Sequence, residues 1–195
     1  MNASSIPRIA PLEPPFEAPL ASLLEKWMPP NSGMAPLALF RLLGRHEELA
    51  ARARPLGAGI LSKGKVDARL REVLIHRTCA LTGAEYEWGV HVVAFGRPLG
   101  LSDEQLNSTA CGAATDPVWS AAERTVFLLA DELHLTSTVS DELFAALAEH
   151  FDDEQILELC MTAGWYHAIS YVINASRIQP EPWAARFTDC AKPND

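Results

Sequence analysis

The segment from Asp67 to Ser102, DARLREVLIHRTCALTGAEYEWGVHVVAFGRPLGLS, restricts the fold more than any other part of the chain. Leu70, Val73, Leu74, Arg77 and Leu81 follow helical spacing. Thr82-Gly83 supplies a stop, because glycine ends a helix in the left-handed conformation without steric cost. Ala84 to about Arg97 then reads as a second helix, so the two predict an antiparallel helical hairpin. Positions 72 and 91 are centred on the turn, which sets Glu72 and His91 at the same height.

The remaining segments read as helices too. Ala18 to Trp27 is short and closed by Pro29-Pro30; Pro36 to Leu43 and Glu47 to Ile60 follow, the latter with Leu49, Ala53 and Leu56 on one face. Ser102 and Gln105 make a capping box for a helix to about Ala110. Asp116-Pro117 reads as N-cap and first-turn proline of a helix to about Leu133, with Val126, Leu129, Ala130 and Leu133 inside. Ser140 opens another, ending near His150. Asp152 or Asp153 starts a long last helix carrying Ile156, Leu159, Cys160, Ala163, His167, Tyr171 and Val172 on one side. No window alternates with period two, so the fold class is all-α with about eight helices. Prolines 7, 11, 14, 15 and 19 predict an extended arm over residues 1–17, leaving 18–195 as a single domain.

Charge narrows the partners. With 16 basic and 25 acidic side chains the formal charge is −9, and no Lys/Arg cluster offers the footprint that nucleic acid or an anionic membrane requires. A small molecule or another protein is the expected partner. The apolar runs are far short of a membrane span, and the first residues lack the pattern of a secretory leader, so the expected location is cytoplasmic. Cys79, Cys111, Cys160 and Cys190 form no C-x-x-C pair and read as small buried residues or thiols rather than as a disulfide framework.

The hairpin is also where chemistry concentrates. Glu87 and His91 are four apart and share a helix face, with Tyr86 on an adjoining one. With Glu72 opposite, a Glu-His-Glu set surrounds one small site. Such a set suits proton transfer: one carboxylate fixes the imidazole tautomer, the other serves as partner acid or base, and both raise the proton affinity of His91, which is expected to be partly protonated near neutrality. Trp88, Val90, Val92 and Phe95 leave little solvated face on that helix, which argues against a surface ion pair. Glu72, His76, Glu87 and His91 could alternatively be metal ligands, but the Glu-x-x-His spacing of di-iron bundles is absent, and the expectation is neither metal nor cofactor. His167, with Trp165 and Tyr166 beside it, is either a pocket residue or a core histidine bonded to a backbone carbonyl. Trp88 is either packing or a substrate contact.

These residues resemble the carboxymuconolactone decarboxylase family, which includes the alkyl hydroperoxide reductase D-like proteins. Arg71-Glu72, the run TGAEYEWGVH from Thr82 to His91, and Gly100-Leu101-Ser102 carry the resemblance, with a looser likeness through AERTVFLLADEL and GWYHAISYVINA. It implies an alkyl hydroperoxide reductase D-like helical fold and a homo-oligomer, whether dimer, trimer or hexamer. The family's peroxidase branch carries two redox cysteines that fall on Ala84 and Glu87 here, so thiol peroxidase activity is not expected. The decarboxylase branch has the Glu-x-x-x-His pattern that Glu87 and His91 match. It implies cofactor-independent lyase or isomerase chemistry on a small carboxylated or lactone-type metabolite, with His91 as proton donor, Glu87 as its partner, Glu72 as second acid/base and Tyr86 as hydrogen-bond donor. A carboxylated substrate also wants an arginine, for which Arg77 or Arg71 is the candidate. The alternatives are a peroxidase-related protein that has lost its redox pair and a non-enzymatic oligomeric binding protein.

Overall fold

The computed structural model describes residues 6–28 and 33–187. In chain order the helices are α1 (Ala18–Glu25), α2 (Ala38–Leu43), α3 (Glu47–Lys63), α4 (Ala68–Leu81), α5 (Glu85–His91), α6 (Asp103–Cys111), α7 (Ala121–Thr136), α8 (Asp141–Ala148) and α9 (Asp153–Ser176). There is no strand among the described residues, and the fold is all-α.

α4 is the axis of the molecule, packed by α5, α6, α7 and α9. Asp67 caps it by accepting from the N–H groups of Arg69 and Leu70. Val73, Leu74, Ile75 and Cys79 lie in the core, but so do Glu72, His76 and Thr78. A helix surrounded on all sides has no solvated face for its polar residues, and here they turn inward against one another.

The turn after α4 has a definite chemistry. Gly83 takes φ +65°, its N–H donates to the Ala80 carbonyl at 3.0 Å, and the Ala84 N–H donates to the Cys79 carbonyl at 2.8 Å. This double closure satisfies the last carbonyls of α4 and reverses the chain within two residues. α5 continues into a π turn over Val92–Gly96, where the Leu101 N–H reaches the Gly96 carbonyl. α7 supplies Val126, Phe127, Leu129 and Ala130 to the core, joined by Leu147 of α8 and by Leu159 and Ala163 of α9. A second apolar cluster joins α2 to Tyr86 and Val90 of α5 and to Ile169 and Ile173 of α9.

The described part of the N-terminal arm lies on the body. The Arg8 N–H donates to the Ser176 carbonyl, and the Arg41 guanidinium of α2 holds the Leu12 carbonyl and the Glu13 carboxylate. No helix among the described residues is long and apolar enough to cross a membrane.

Several expectations need correction. On α3, Leu49 and Leu56 are exposed, and Ala50, Gly57 and Ile60 are buried instead. Trp165 of α9 decides this, lying so close to Gly57 that a Cβ there would meet the indole at 3.0 Å. α7 begins after Ser120, in a capping box with Glu123, and not at Asp116. Asp116 closes the preceding loop by accepting from the Ser108 hydroxyl and the Ala113 N–H, while the Trp119 indole donates to the same Ser108. Tyr171 faces outward from α9. Cys79 and Cys160 are free, but Cys111 is disulfide-bonded, against the reading of all four cysteines as unpaired. Cys190 lies outside the described residues.

Candidate active site

The hairpin brings Glu72 of α4 together with Glu87 and His91 of α5. The His91 Nδ1–H donates to Glu72 Oε2 at 2.8 Å, and His91 Nε2 lies 3.5 Å from Glu87 Oε1. The reversal at Gly83 sets the height of this contact, and the four-residue spacing of α5 sets the second. All three are buried; Glu72 is fully enclosed, whereas Glu87 retains 7% exposure and is the edge of the cluster nearest solvent. Edge-on to the His91 ring, with centroids 5.0 Å apart at 89°, stands Tyr166 of α9.

His76 lies one turn beyond Glu72 on the same helix. Its Nδ1 is 2.6 Å from the Glu72 carbonyl oxygen, which fixes the ring proton on Nδ1, and 3.6 Å from Glu72 Oε2. Its Nε2 is left without a hydrogen-bond partner among the described residues, as are the second carboxylate oxygen of Glu72, Thr78 Oγ1 and the Nε–H donor of Arg71. Gly96 in the π turn gives the ring room, since a Cβ there would come within 3.0 Å of it.

Electrostatics divides the two histidines. Burial disfavours a charge on His91. It is outweighed by the Glu72 carboxylate and its hydrogen bond, then by the hydrogen bond and charge of Glu87, and the pKa is pushed up to about 10. Burial likewise raises Glu72, but His91, His76 and Arg71 hold it below its usual value. For His76, burial prevails over the attraction of Glu72, the charge on His91 adds to it, and the pKa falls to about 4. At neutral pH the site therefore holds an imidazolium–carboxylate pair beside a neutral imidazole 6.2 Å away. His91 is fully protonated at that pH, beyond the partial protonation expected from the sequence.

The other candidates are placed differently. Tyr86 is buried, but its hydroxyl accepts from the Leu39 N–H at 3.1 Å and donates to Glu181 at 2.7 Å, tying α5 to α2 and the C-terminal segment. In this structure the hydroxyl expected to donate beside His91 is bonded to Leu39 and Glu181 instead. Arg77 turns away from the hairpin, pairing with Asp131 at 2.6 Å and stacking on Phe127. Trp88 donates to Thr109 Oγ1 and packs on Phe187 and the His76 ring. His167 meets the Ala163 carbonyl at 3.0 Å, as a core histidine does, and its Nε2 lies 3.1 Å from His134 Nδ1, at the wall of a separate cavity between α7 and α9. Arg71 is the arginine that stays with the cluster, buried at 6% and acting on both Glu72 and Tyr166.

Sequence reasoning missed Tyr166 and Cys79 as members of the site. The signal for Tyr166 was the spacing Leu159, Ala163, Tyr166, Ser170, the buried stripe of α9. Burial, followed by the charges of Glu87 and Glu72, pushes the Cys79 thiol well up, so it stays protonated. Among the described residues no three His, Cys, Asp or Glu side chains are set to share an ion.

Comparison with known proteins agrees with this geometry at the level of the fold. Residues 47–132 match the carboxymuconolactone decarboxylase family. An uncharacterized peroxidase-related protein from Silicibacter sp. TM1040 superposes with a TM-score of 0.77 at 14% identity, covering 96% of this chain and 97% of its own. The debrominase Bmp8, in an alanine variant bound to 2,3,4-tribromopyrrole, gives 0.70 at 18% identity over 90% and 92% of the two chains. A protein of unknown function from Agrobacterium tumefaciens, described as a candidate AhpD antioxidant-defence protein, gives 0.66 at 20% over 71% and 94%. A comparison with curated protein sequences finds no match.

Proposed function

From the match of residues 47–132 to the carboxymuconolactone decarboxylase family we propose that the chain is a cofactor-independent general acid/base enzyme, a lyase or isomerase acting on a small carboxylated or lactone-type metabolite. The observation that carries this reading is the His91 imidazolium held between Glu72 and Glu87. Glu72 binds the Nδ1 proton tightly and fixes the ring, so the mobile proton is the one on Nε2, facing Glu87 across a gap too long for a strong bond. In the decarboxylation version the bond from the substrate carbon to its carboxylate breaks, carbon dioxide leaves, and the electron pair stays behind as a dienolate. The dienolate carbon takes the Nε2 proton of His91. Glu87, at the exposed edge, relays a replacement proton from water, and the site is restored. Isomerisation uses the same two groups without loss of carbon dioxide, Glu87 removing the proton and His91 returning one.

The test is turnover of a panel of carboxylated lactones and enol acids in heavy water, followed by NMR. Product should carry one deuterium at the protonated carbon, and Glu87→Gln should slow turnover by about 100-fold while the protein stays folded. Unchanged turnover in Glu87→Gln sinks the assignment. The near-complete burial of the cluster supports a second reading, an oligomeric binding protein in which the ion pair only shapes a ligand site. Binding of a panel member without product formation selects it. Tribromopyrrole belongs in the panel because of the likeness to a debrominase.

A further inference from the structure

Arg71 is the anomaly of the core. It is only 6% exposed, yet its Nε–H has no acceptor, and its guanidinium makes no hydrogen bond or ion pair among the described residues. Glu72, its neighbour in sequence, does not answer it. Consecutive side chains on a helix point about 100° apart, and Glu72 gives its bonded oxygen to His91. A guanidinium cannot shed its charge as an imidazole does, so one buried without an acceptor is a standing cost to the folded chain.

Tyr166 is its counterpart on α9. The ring stands edge-on to His91, and the hydroxyl makes no hydrogen bond among the described residues. Burial, then the charges of Glu87 and Glu72, push its pKa well up, so the hydroxyl keeps its proton, and the charge of Arg71 reaches the same group. Two donors without acceptors thus flank the Glu72–His91 pair.

We propose that Arg71 and Tyr166 form an oxyanion site for the enolate oxygen that develops during the reaction. The assignment rests on the acid/base reading and deepens it. In the lyase and the isomerase version alike, an electron pair left on carbon delocalises onto the conjugated carbonyl oxygen, where neither Glu72 nor Glu87 can stabilise the charge. Arg71 and Tyr166 donate to that oxygen. When His91 Nε2 protonates the carbon, the enolate π pair forms the new C–H bond, an oxygen lone pair restores the carbonyl, and the two donors lose their charged acceptor. Donors fixed in a site with little water act more strongly than the same groups in solution. An arginine on a departing carboxylate would instead hold the ground state and slow the departure, so the oxygen assigned to Arg71 is one that stays with the molecule. The ligand class is a carbonyl compound that enolises, and affinity should follow enolate charge.

The probe is tetronate, a lactone that is an enolate anion at neutral pH, set against the uncharged γ-butyrolactone and against 2-furoate, a carboxylate of the same ring size. With the full chain, calorimetry should show saturable tetronate binding, at least about 10-fold tighter than either comparison compound, and the His91 ring signals should move with it in NMR. Arg71→Met should weaken tetronate by about 10–100-fold and Tyr166→Phe by about 3–10-fold, with γ-butyrolactone little changed in either. Without ligand, Arg71→Met should melt no lower than wild type, because an apolar chain replaces an unpaired buried charge; a structural arginine gives the opposite. No tetronate binding, equal affinity for γ-butyrolactone or 2-furoate, affinity unchanged in either variant, or an Arg71→Met protein that melts well below wild type would each overturn the proposal. Binding and melting are read without turnover, so this assignment can fail while Glu87→Gln still slows the reaction, and can hold where it does not.

Discussion

Glu72→Gln preserves the shape of the central carboxylate and deletes its charge, so it tests the assigned charge state of His91 directly. The folded protein holds the His91 proton up to about pH 10, whereas the unfolded chain releases it at about pH 6.5. Because the folded pKa is the raised one, this stabilisation is complete below the unfolded value and is lost as pH rises toward the folded one. Between the two the native state binds one more proton, and the unfolding free energy falls by about 1.4 kcal/mol per pH unit. From about pH 7 to about pH 8.5 the loss is about 2 kcal/mol. Above that range Cys79, Tyr86 and Tyr166, all with raised pKa values, add losses of their own. In the variant the strongest attraction on the proton is gone, burial prevails, and His91 is neutral at pH 7. The slope should vanish, and the variant should be less stable than wild type at pH 7 by about 3 kcal/mol, the low end for breaking a buried pair, because the ring sheds its charge. Urea unfolding followed by tryptophan fluorescence across this pH range gives both numbers. A flat wild-type profile, or an equal slope in the two proteins, refutes the charge assignment. His76 has the opposite sign: its folded pKa is lowered to about 4, so its contribution is full above about 6.5 and is lost as pH falls toward the folded value. The wild-type maximum should therefore lie near pH 6.5.

Two further substitutions separate scaffold from chemistry. Tyr86→Phe removes the hydroxyl that bridges Leu39 and Glu181; thermal unfolding should show a loss of about 1–3 kcal/mol, with the NMR titration of His91 unmoved. Gly89→Ala places a methyl group against the backbone carbonyl of Ala185; overpacking of about 1–3 kcal/mol should free the segment 181–187, read as faster hydrogen exchange there and as altered Trp88 fluorescence once Phe187 leaves its ring.

The hairpin was legible because its determinants are local. A glycine stop and two helical periods fix the height at which Glu72 and His91 meet, and no distant residue intervenes. The start of α7 was not, because Asp-Pro is a good opening in isolation. Here the Trp119 indole and the Asp116 carboxylate are both committed to Ser108, which delays the helix to Ser120. The same limit applied to direction: Tyr86 and Arg77 have the right chemistry and adjacent positions, but their side chains answer to Glu181 and Asp131, far away in the chain. Tyr166 reaches His91 from 75 positions away, and only its place on the buried stripe of α9 marked it.

The π turn that follows His91 makes chain length itself part of the site. A π turn is one residue more than an α-helix accommodates, and here that extra residue swings Gly96 onto the His76 ring. Removing any one residue between 92 and 96 would restore the regular ladder and rotate everything beyond it by about a quarter turn. Leu101 and the capping box of α6 would then come off α4, with Glu72, Glu87 and His91 unaltered in sequence. In this segment a single-residue deletion is a more damaging lesion than most substitutions, and the spacing carries structural information that no residue identity records.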